Sequence, residues 1–529
     1  MNAQAPPAGD DAVTIRTTTK LIQVNVVVHG RDGKVVSGLK QADFRLLEDG
    51  KPQAISFFSV DDARKPPGVG TKLPENVFSN NIGRDGVSPT SVTAIVIDAL
   101  NTDAPDQAYA RQQVLKFLSQ VQPQDRVALF TIGRGLRVLH DYTSDSAALL
   151  VRLDRYLGQN TSLLGDSEAP PPPDPDQPLD VQQQLEQGVQ IRSALFATRQ
   201  RVETTLQSLQ AVGTHLAGLP GRKSIVWVTA GFPLVFQAGQ GSMNWEVESF
   251  GPKVTRVIQI LNDSNVAVYP VDARGLMADP GFSAATASAP SRNARIWSPP
   301  NHETMIEFAN RTGGKAFYNR NDVGSAVREA VEDGRITYTL AYYPRAAEKE
   351  DKFRKIKVEV TRPGFQVRHR KGYIAQKEVA PAAQQIEEDL RHAMWSPVDS
   401  TMIPVNGRVD QAEGSDVLRL VLQISLQAVT IQQEGDRWNG KLAFTFVQKD
   451  EEGKTFNGST DTLTLKLTSA NYNRMMKEGL LFARDLKRNP AAKFLKVAVV
   501  DPASGAVGTM TVPFSRVVAH KPAPARSNP

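Results

Sequence analysis

The sequence contains no cysteine among its 529 residues. Disulfides, thiolate metal sites and a cysteine nucleophile are therefore excluded. A chain without cysteine suits an oxidising compartment, and the polar start MNAQAPPAGDDA resembles a mature N-terminus that remains after removal of a signal peptide. We therefore expect an extracytoplasmic protein, either periplasmic or secreted.

Long apolar runs and blocks of like charge are also missing. No run reaches the roughly 18 apolar residues that a membrane helix needs, so we expect no transmembrane segment in this chain. The net charge is only +6, and the basic residues are dispersed, which argues against nucleic acid as a partner. The seven histidines are scattered, and neither an H-E-x-x-H nor a G-x-S-x-G motif occurs. The sequence therefore predicts a protein that is not an enzyme.

Hydropathy patterns divide the chain into regions of different fold class. Between 91 and 335, continuous apolar strands alternate with helical segments, which predicts a doubly wound α/β domain with a mostly parallel sheet. Strict alternation before and after this region predicts antiparallel strands. Because these strands flank the α/β region on both sides, we expect one small β-domain into which the α/β domain is inserted. Short alternating strands with turn signals then predict a C-terminal β-sandwich.

The fold class is therefore multidomain, α/β plus all-β, and its boundaries follow from the same patterns. We expect a disordered N-terminus (1–13), N-terminal β-strands (14–64), a linker (65–90), the α/β domain (91–335), strands that complete the β-domain (336–376), a second linker (377–388), the C-terminal β-sandwich (389–517) and a disordered tail (518–529). Two insertions, 165–178 and 280–300, interrupt the α/β domain. They are interpreted either as surface loops or as covers of a ligand-binding face.

Five segments of the α/β region resemble a known family when they are taken in order. They are AIVIDALNT, QDRVALFTIG, KSIVWVTAG, VAVYPVDARG and FANRTGGKAFYN, and together they resemble the von Willebrand factor A-type (VWFA) domain. The DALNT loop and the YPVDARG strand are similar to those of VWFA-related proteins common in Acidobacteria. The resemblance covers about 91–344 and extends to GLKQADFRLLEDGKPQ. It implies a binding function at a metal-ion-dependent adhesion site, at the carboxyl ends of the strands.

The resemblance also implies a ligand set for a divalent cation, Mg²⁺ or another. The family's site uses an Asp-x-Ser-x-Ser loop, a later threonine, and an aspartate at the end of the fourth strand. Asp98 matches the first aspartate, Thr102 matches the second serine, and Thr161 is the candidate for the later threonine. Leu100 and Ala230 stand where the first serine and the second aspartate belong. Because a hydroxyl and a carboxylate are missing, the resemblance implies a degenerate site built on Asp98, Thr102 and Thr161.

The same residues allow other interpretations. Asp98 could instead organise its loop by accepting hydrogen bonds from loop N–H groups and from Thr102, or it could belong to a polar contact surface for a ligand. Asn101 offers an amide oxygen, but it does not stand at one of the ligand positions of the Asp-x-Ser-x-Ser loop. Asp272 ends the fifth strand, next to the fourth. It could supply the carboxylate that the site lacks, or it could pair with Arg274. The candidate ligand-binding residues are Asp98, Asn101, Thr102, Thr161 and Asp272.

Three functions remain open at this point. The leading one is a non-catalytic binding or adhesion protein that uses the upper face of the VWFA-type domain, with a protein or a surface polymer as its ligand. The alternative is a structural or assembly component of the cell envelope, in which the domain is an inert scaffold. A hydrolase with an unrecognised site is the third.

Overall fold

The computed structural model describes most of the chain. The described residues are 21–63, 73–81, 91–122, 125–156, 181–219, 221–240, 243–275, 302–344, 352–375 and 381–520. Thr161, both insertions and the predicted disordered N-terminus lie outside these ranges. Within them, no helix combines the length and the apolar character that crossing a membrane requires.

The N-terminal region consists of short strands. They are β1 (Ile22–His29), β2 (Phe44–Glu48), β3 (Lys51–Gln53), β4 (Phe57–Asp62) and β5 (Val77–Ser79). The turn between β2 and β3 places Asp49 and Gly50 at φ values of 48° and 78°. Consecutive left-handed residues suit a two-residue hairpin turn, because their twist matches that of the paired strands. The EDGK segment therefore forms a tight turn between β2 and β3.

The α/β domain follows. Its elements are β6 (Val92–Asp98), α1 (Ala104–Leu118), β7 (Val127–Ile132), β8 (Leu136–Thr143), α2 (Ser146–Asp154), α3 (Val181–Leu216), β9 (Lys223–Thr229), β10 (Val235–Gln240), β11 (Met243–Ser249), α4 (Gly251–Asp263), β12 (Val266–Asp272), α5 (His302–Thr312) and α6 (Val323–Asp333). The central sheet has the order β12-β9-β6-β7-β8. β12, β9, β6 and β7 are parallel, and β8 is an antiparallel edge strand.

Helices cover both faces of this sheet, so the mixed α/β class predicted from the sequence is confirmed. Every residue of β6, β7, β9 and β12 is buried. Alternate residues of the strands join two separate apolar clusters, one with α3 and α4 and the other with α1 and α6. This double burial explains why these strands lack the polar alternation of half-exposed strands.

Four strands follow the α/β domain: β13 (Ile336–Tyr342), β14 (Lys352–Val360), β15 (Gln366–Arg368) and β16 (Gly372–Ala375). β13 lies between β1 and β4, and β14 pairs with β2. Strands from both flanks of the α/β domain therefore share two four-stranded sheets, β15-β1-β13-β4 and β16-β14-β2-β3. One apolar cluster is built from residues of both sheets.

The C-terminal region contains α7 (Ala383–Trp395), β17 (Val405–Ala412), β18 (Val417–Ile424), β19 (Gln432–Glu434), β20 (Arg437–Lys449), β21 (Thr455–Thr468), α8 (Ser469–Glu478), β22 (Leu480–Lys487), β23 (Phe494–Val500), β24 (Val507–Pro513) and β25 (Ala519–His520). One sheet has the order β22-β18-β17-β25 with β5 also on β17, and the other has β19-β20-β23-β24 with β21 on β20. Residues of both sheets form one apolar cluster.

The structure departs from the sequence patterns in four places. β5 lies in the segment predicted as a linker (65–90) and pairs with β17 of the C-terminal region. α7 begins inside the second predicted linker (377–388). The segment that begins SANYNRMM lies among the strands predicted for the β-sandwich (389–517) but forms α8, where the Thr468 hydroxyl accepts the N–H of Asn471 and caps the helix. β25 lies at the start of the predicted disordered tail (518–529) and pairs with β17.

Candidate functional site

Asp98 lies at the carboxyl end of β6 and is fully buried. One carboxylate oxygen accepts the backbone N–H groups of Leu100 and Asn101, at 3.2 and 3.1 Å. The other accepts the side chains of Asn101, Trp227 and Thr229, at 2.9, 3.0 and 2.9 Å. A carboxylate has about four lone-pair positions, so five donors from the protein occupy its acceptor capacity.

The strand register explains how these donors meet. Side chains alternate along a strand, which places Trp227 and Thr229 on the same face of β9. β9 pairs in parallel with β6, with Ile97 opposite Val228, so Thr229 lies beside Asp98 at the edge of the sheet. Burial raises the pKa of Asp98 above its ordinary value of 3.8, against the opposing effect of the hydrogen bonds from Asn101, Thr229 and Trp227. Asp98 is therefore the centre of a buried hydrogen-bond network.

The residues around Asp98 do not fit a Mg²⁺ ion. Leu100 is 7% exposed and belongs to the apolar cluster under α3 and α4, so it directs no oxygen to the site. The hydroxyl of Thr102 accepts the backbone N–H of Ala230 at 3.3 Å. Magnesium prefers oxygen ligands in a near-ideal octahedron, and here the one carboxylate already accepts five protein donors. Within the described residues, no group of three or more His, Asp or Glu side chains is placed to hold a metal ion.

Asn101 joins the loop to α3. Its amide nitrogen donates to Asp98 at 2.9 Å and to the hydroxyl of Thr205 at 2.7 Å. The Gln107 amide adds a second connection, since it donates to the backbone oxygens of Ala99 and Thr102. Hydrogen bonds to Thr205 of α3 and from Gln107 of α1 therefore hold the loop between β6 and α1 in place. The hydrogen bond from Thr102 to Asp98 that one interpretation of the sequence includes is not formed, and Trp227 and Thr229 supply the donors instead.

Asp272 ends β12, two strands away from Asp98 in the sheet. Its carboxylate accepts the guanidinium of Arg274 at 2.9 and 2.8 Å, and His302 Nε2 lies 2.8 Å from the second oxygen. Burial alone would raise the pKa of Asp272, but the hydrogen bonds from Arg274 hold it below the ordinary value. Asp272 therefore pairs with Arg274 rather than completing a ligand set with Asp98.

Asp272 belongs to a second polar group, which we call the upper rim and define as Asp272, Arg274, His302 and Tyr318. The imidazole of His302 stacks on the ring of Tyr318, with 4.5 Å between centroids. Tyr318 is 39% exposed, whereas the side chains of Arg274 and His302 are 17% and 12% exposed. The upper rim thus presents an exposed aromatic ring that stacks on His302, which in turn contacts the Asp272–Arg274 ion pair.

His302 and Tyr318 are the site residues that the sequence did not reveal. His302 follows an insertion, and no spacing rule connects it with Asp272, 30 positions earlier. Tyr318 lies in the segment FANRTGGKAFYN, where the structure shows an isolated bridge between Phe317 and Val271. That bridge brings Tyr318 to the edge of the sheet, and a bridge of this kind has no pattern of its own in the sequence.

No family model and no curated protein matches the chain. Similar solved structures include an aerotolerance-related membrane protein from Bacteroides fragilis, at 14% identity, 46% of this chain and 98% of that chain, with a TM-score of 0.26. A von Willebrand factor type A protein from Catenulispora acidiphila has 9% identity, with 87% and 74% of the two chains covered and a TM-score of 0.25. A third is proximal thread matrix protein 1 of the mussel byssus, with zinc in its metal-ion-dependent adhesion site (MIDAS) motif. It has 11% identity over 50% of this chain and 49% of that chain, with a TM-score of 0.23. At these TM-scores the similarity carries no argument about function.

Proposed function

We propose that this chain is a non-catalytic binding protein, and that the upper rim of its VWFA-like domain contacts a protein or surface-polymer ligand without a metal ion. The observation that carries the proposal is the stacked pair of His302 and Tyr318, held on the Asp272–Arg274 ion pair at the carboxyl edge of the sheet. Open α/β sheets bind ligands at this edge.

The chemistry of the upper rim suits recognition by contact. Tyrosine and arginine are enriched among the residues that contribute most to binding at interfaces, because both combine a flat apolar surface with hydrogen-bond donors. Asp272 and His302 fix the guanidinium and the phenol ring before a ligand arrives. A ligand therefore meets side chains that lose little conformational entropy on binding.

The filled acceptor positions of Asp98 support the metal-independent part of the proposal. In a metal-dependent adhesion site the ion joins the carboxylate of the domain to an acidic group of the ligand. Here Trp227, Thr229 and Asn101 donate to Asp98 instead, and Leu100 is part of the core. Binding at this edge would then use the upper rim, which lies on the far side of β9.

The test is capture of a ligand from the envelope fraction of the source organism by the immobilised full-length chain. Wild type is compared with Tyr318→Ala and Arg274→Ala, each in millimolar Mg²⁺ and in EDTA. We expect one captured component that is the same in both solutions and is depleted several-fold with either variant.

Tyr343→Ala is the matched control, because Tyr343 is also an exposed tyrosine, at 57%, and is not part of the upper rim. It should capture as wild type does. Loss of capture in EDTA would contradict metal independence, and equal capture by Tyr318→Ala would show that the upper rim is not the binding surface. If the wild type captures nothing, the structural or assembly role becomes the better description.

A further inference from the structure

A cleft of about 680 Å³ lies away from the upper rim, where the α/β domain meets the C-terminal region. Helices α3 and α4 form one side of it, and α7 with the loop before β24 forms the other. Its volume lies within the range of small-molecule sites in proteins. Neither the network around Asp98 nor the upper rim uses any of its residues.

The wall formed by α3 and α4 consists mainly of amide and hydroxyl side chains. They are Thr204, Gln207, Ser208, Gln210, Thr255 and Gln259. Within the described residues, the amides of Gln207 and Gln259 have no hydrogen-bond partner. A side-chain amide can donate a hydrogen bond to a hydroxyl oxygen through its NH₂ group and accept one from a hydroxyl through its oxygen. Two unpaired amides on adjacent helices are therefore suited to a ligand that is rich in hydroxyl groups.

Trp395, at the C-terminal end of α7, supplies an aromatic surface at the opposite side. It is 56% exposed. The ammonium of Lys449 lies 3.9 Å from the ring centroid and donates to the backbone oxygen of Met394 at 2.6 Å, so the indole is supported from the protein side. Within the described residues its N–H has no acceptor. A flat ring with a negative π face attracts the weakly positive C–H groups of a sugar ring.

The charges of the cleft balance one another. Two arginines, Arg134 and Arg256, and two aspartates, Asp263 and Asp389, line it. Arg256 lies 2.6 Å from a carboxylate oxygen of Asp389, whose other oxygen accepts the amide of Gln210 at 3.2 Å. Burial lowers the pKa of His392, which also lines the cleft, so this side chain is neutral at pH 7. The formal charges of the side chains that line the cleft therefore sum to zero, which favours a neutral ligand over a charged one.

The two sides of the cleft are fixed relative to each other. The backbone N–H of Thr401 donates to the backbone oxygen of Thr214 at 2.9 Å, and the N–H of Gly218 donates to the Thr401 hydroxyl at 2.6 Å. A Cβ atom at Gly218 would lie 2.6 Å from the backbone oxygen of Thr401, so the contact requires glycine. The cleft is therefore formed before a ligand binds, which lowers the entropy cost of binding.

We propose that this cleft binds a neutral oligosaccharide, with Trp395 as the stacking platform and Gln207 and Gln259 as hydrogen-bond partners of the sugar hydroxyls. The site is separate from the upper rim and from the function proposed for it. Surface polymers of cells supply such ligands, and a chain that contacts a partner at the upper rim could hold a glycan at the same time.

The experiment is affinity electrophoresis of the full chain in native gels that contain one polysaccharide each. The neutral probes are β-glucan, mannan, dextran and glycol chitin, and the acidic probes are alginate and polygalacturonate. We expect at least one neutral polysaccharide to retard the wild type. Trp395→Ala should weaken that binding by about tenfold, which corresponds to the loss of one aromatic contact. Gln259→Ala should weaken it by a smaller factor.

Tyr343→Ala is again the matched control, because Tyr343 is exposed to the same extent as Trp395 and lies outside the cleft. Tyr318→Ala should also be retarded as wild type is, which separates this site from the upper rim. Thermal unfolding of each variant shows that it is folded. Retardation by none of the neutral probes, retardation by the acidic probes alone, or unchanged retardation of a folded Trp395→Ala variant would overturn the proposal.

Discussion

The Nε2 atom of His215 lies 3.3 Å from a carboxylate oxygen of Asp141, at the end of α3 that meets the C-terminal region. The other ring nitrogen lies 2.8 Å from the backbone oxygen of Asp399. Both neighbours are acceptors, so only the doubly protonated imidazolium donates to both. Burial lowers the pKa of His215, but the hydrogen bonds to Asp141 and Asp399 and the charges of these two aspartates together outweigh it, so the net pKa lies above the ordinary 6.5.

This geometry predicts that stability depends on pH near neutrality. A histidine with a raised folded-state pKa stabilises the protein below the ordinary pKa, and this contribution is lost as the pH rises through the folded-state value. The pKa of Asp141 is lowered, so its contribution is present above 3.8 and is lost only in stronger acid. We expect the melting temperature to fall as the pH rises above 6.5 and passes through the raised folded-state pKa of His215. His215→Gln should show a flatter profile, and identical profiles would contradict the assignment.

Asp98→Ala should destabilise the α/β domain. The substitution leaves the indole N–H of Trp227 and the hydroxyl of Thr229 buried without their acceptor. We expect a loss of roughly 3 to 5 kcal/mol in the free energy of unfolding, measured by urea denaturation. Asp103→Ala, at an exposed position in the same loop without a side-chain cap, should change it by less than about 0.5 kcal/mol. A stable Asp98→Ala protein would show that the network is dispensable.

Gly314→Ala should destabilise the domain for a steric reason. A Cβ atom at Gly314 would lie 1.9 Å from the backbone oxygen of Val268, inside the sheet. Relief requires movement of β12 or of the end of α5, which we expect to cost about 3 kcal/mol. Gly135→Ala is the control, because nothing lies within 4 Å of its Cβ position. Equal melting temperatures of the two variants would contradict this packing.

Asp333→Asn should weaken the contact between the α/β domain and the flanking strands. The carboxylate contacts His29 of β1 at 2.8 Å, Tyr269 of β12 at 2.7 Å and Arg368 of β15. Removing one partner of a buried charge pair costs about 3 to 5 kcal/mol, measured as the free energy of unfolding in urea. Asp154→Asn, which alters an ion pair with Arg111 in which Asp154 is 76% exposed, should cost under about 1 kcal/mol. Comparable losses would contradict a special role for Asp333.

Much of the fold could be predicted from local patterns, but the site could not. VTAIVID predicts β6 because a strand buried on both faces needs apolar residues at every position. By contrast, α8 carries few apolar residues. The segment directly before it, TLTLKLT, alternates as a strand does, so the sequence pattern favours strand there. The hydrogen bonds from Trp227 and Thr229 to Asp98 depend on the register of β9 against β6. The contact of His29 with Asp333 spans 304 positions, for which one sequence offers no signal.

The pairing of β1 with β13 has a consequence for synthesis of the chain. Val24 pairs with Leu340, so β1 leaves the ribosome long before its partner strand is made. Until then its apolar residues and backbone N–H groups are exposed, and such an edge is prone to aggregate. The α/β domain, whose contacts are more local, can fold first and bring the ends of the interrupted β unit together. We therefore expect nascent chains that end before β13 to engage chaperones, and longer chains to be released from them.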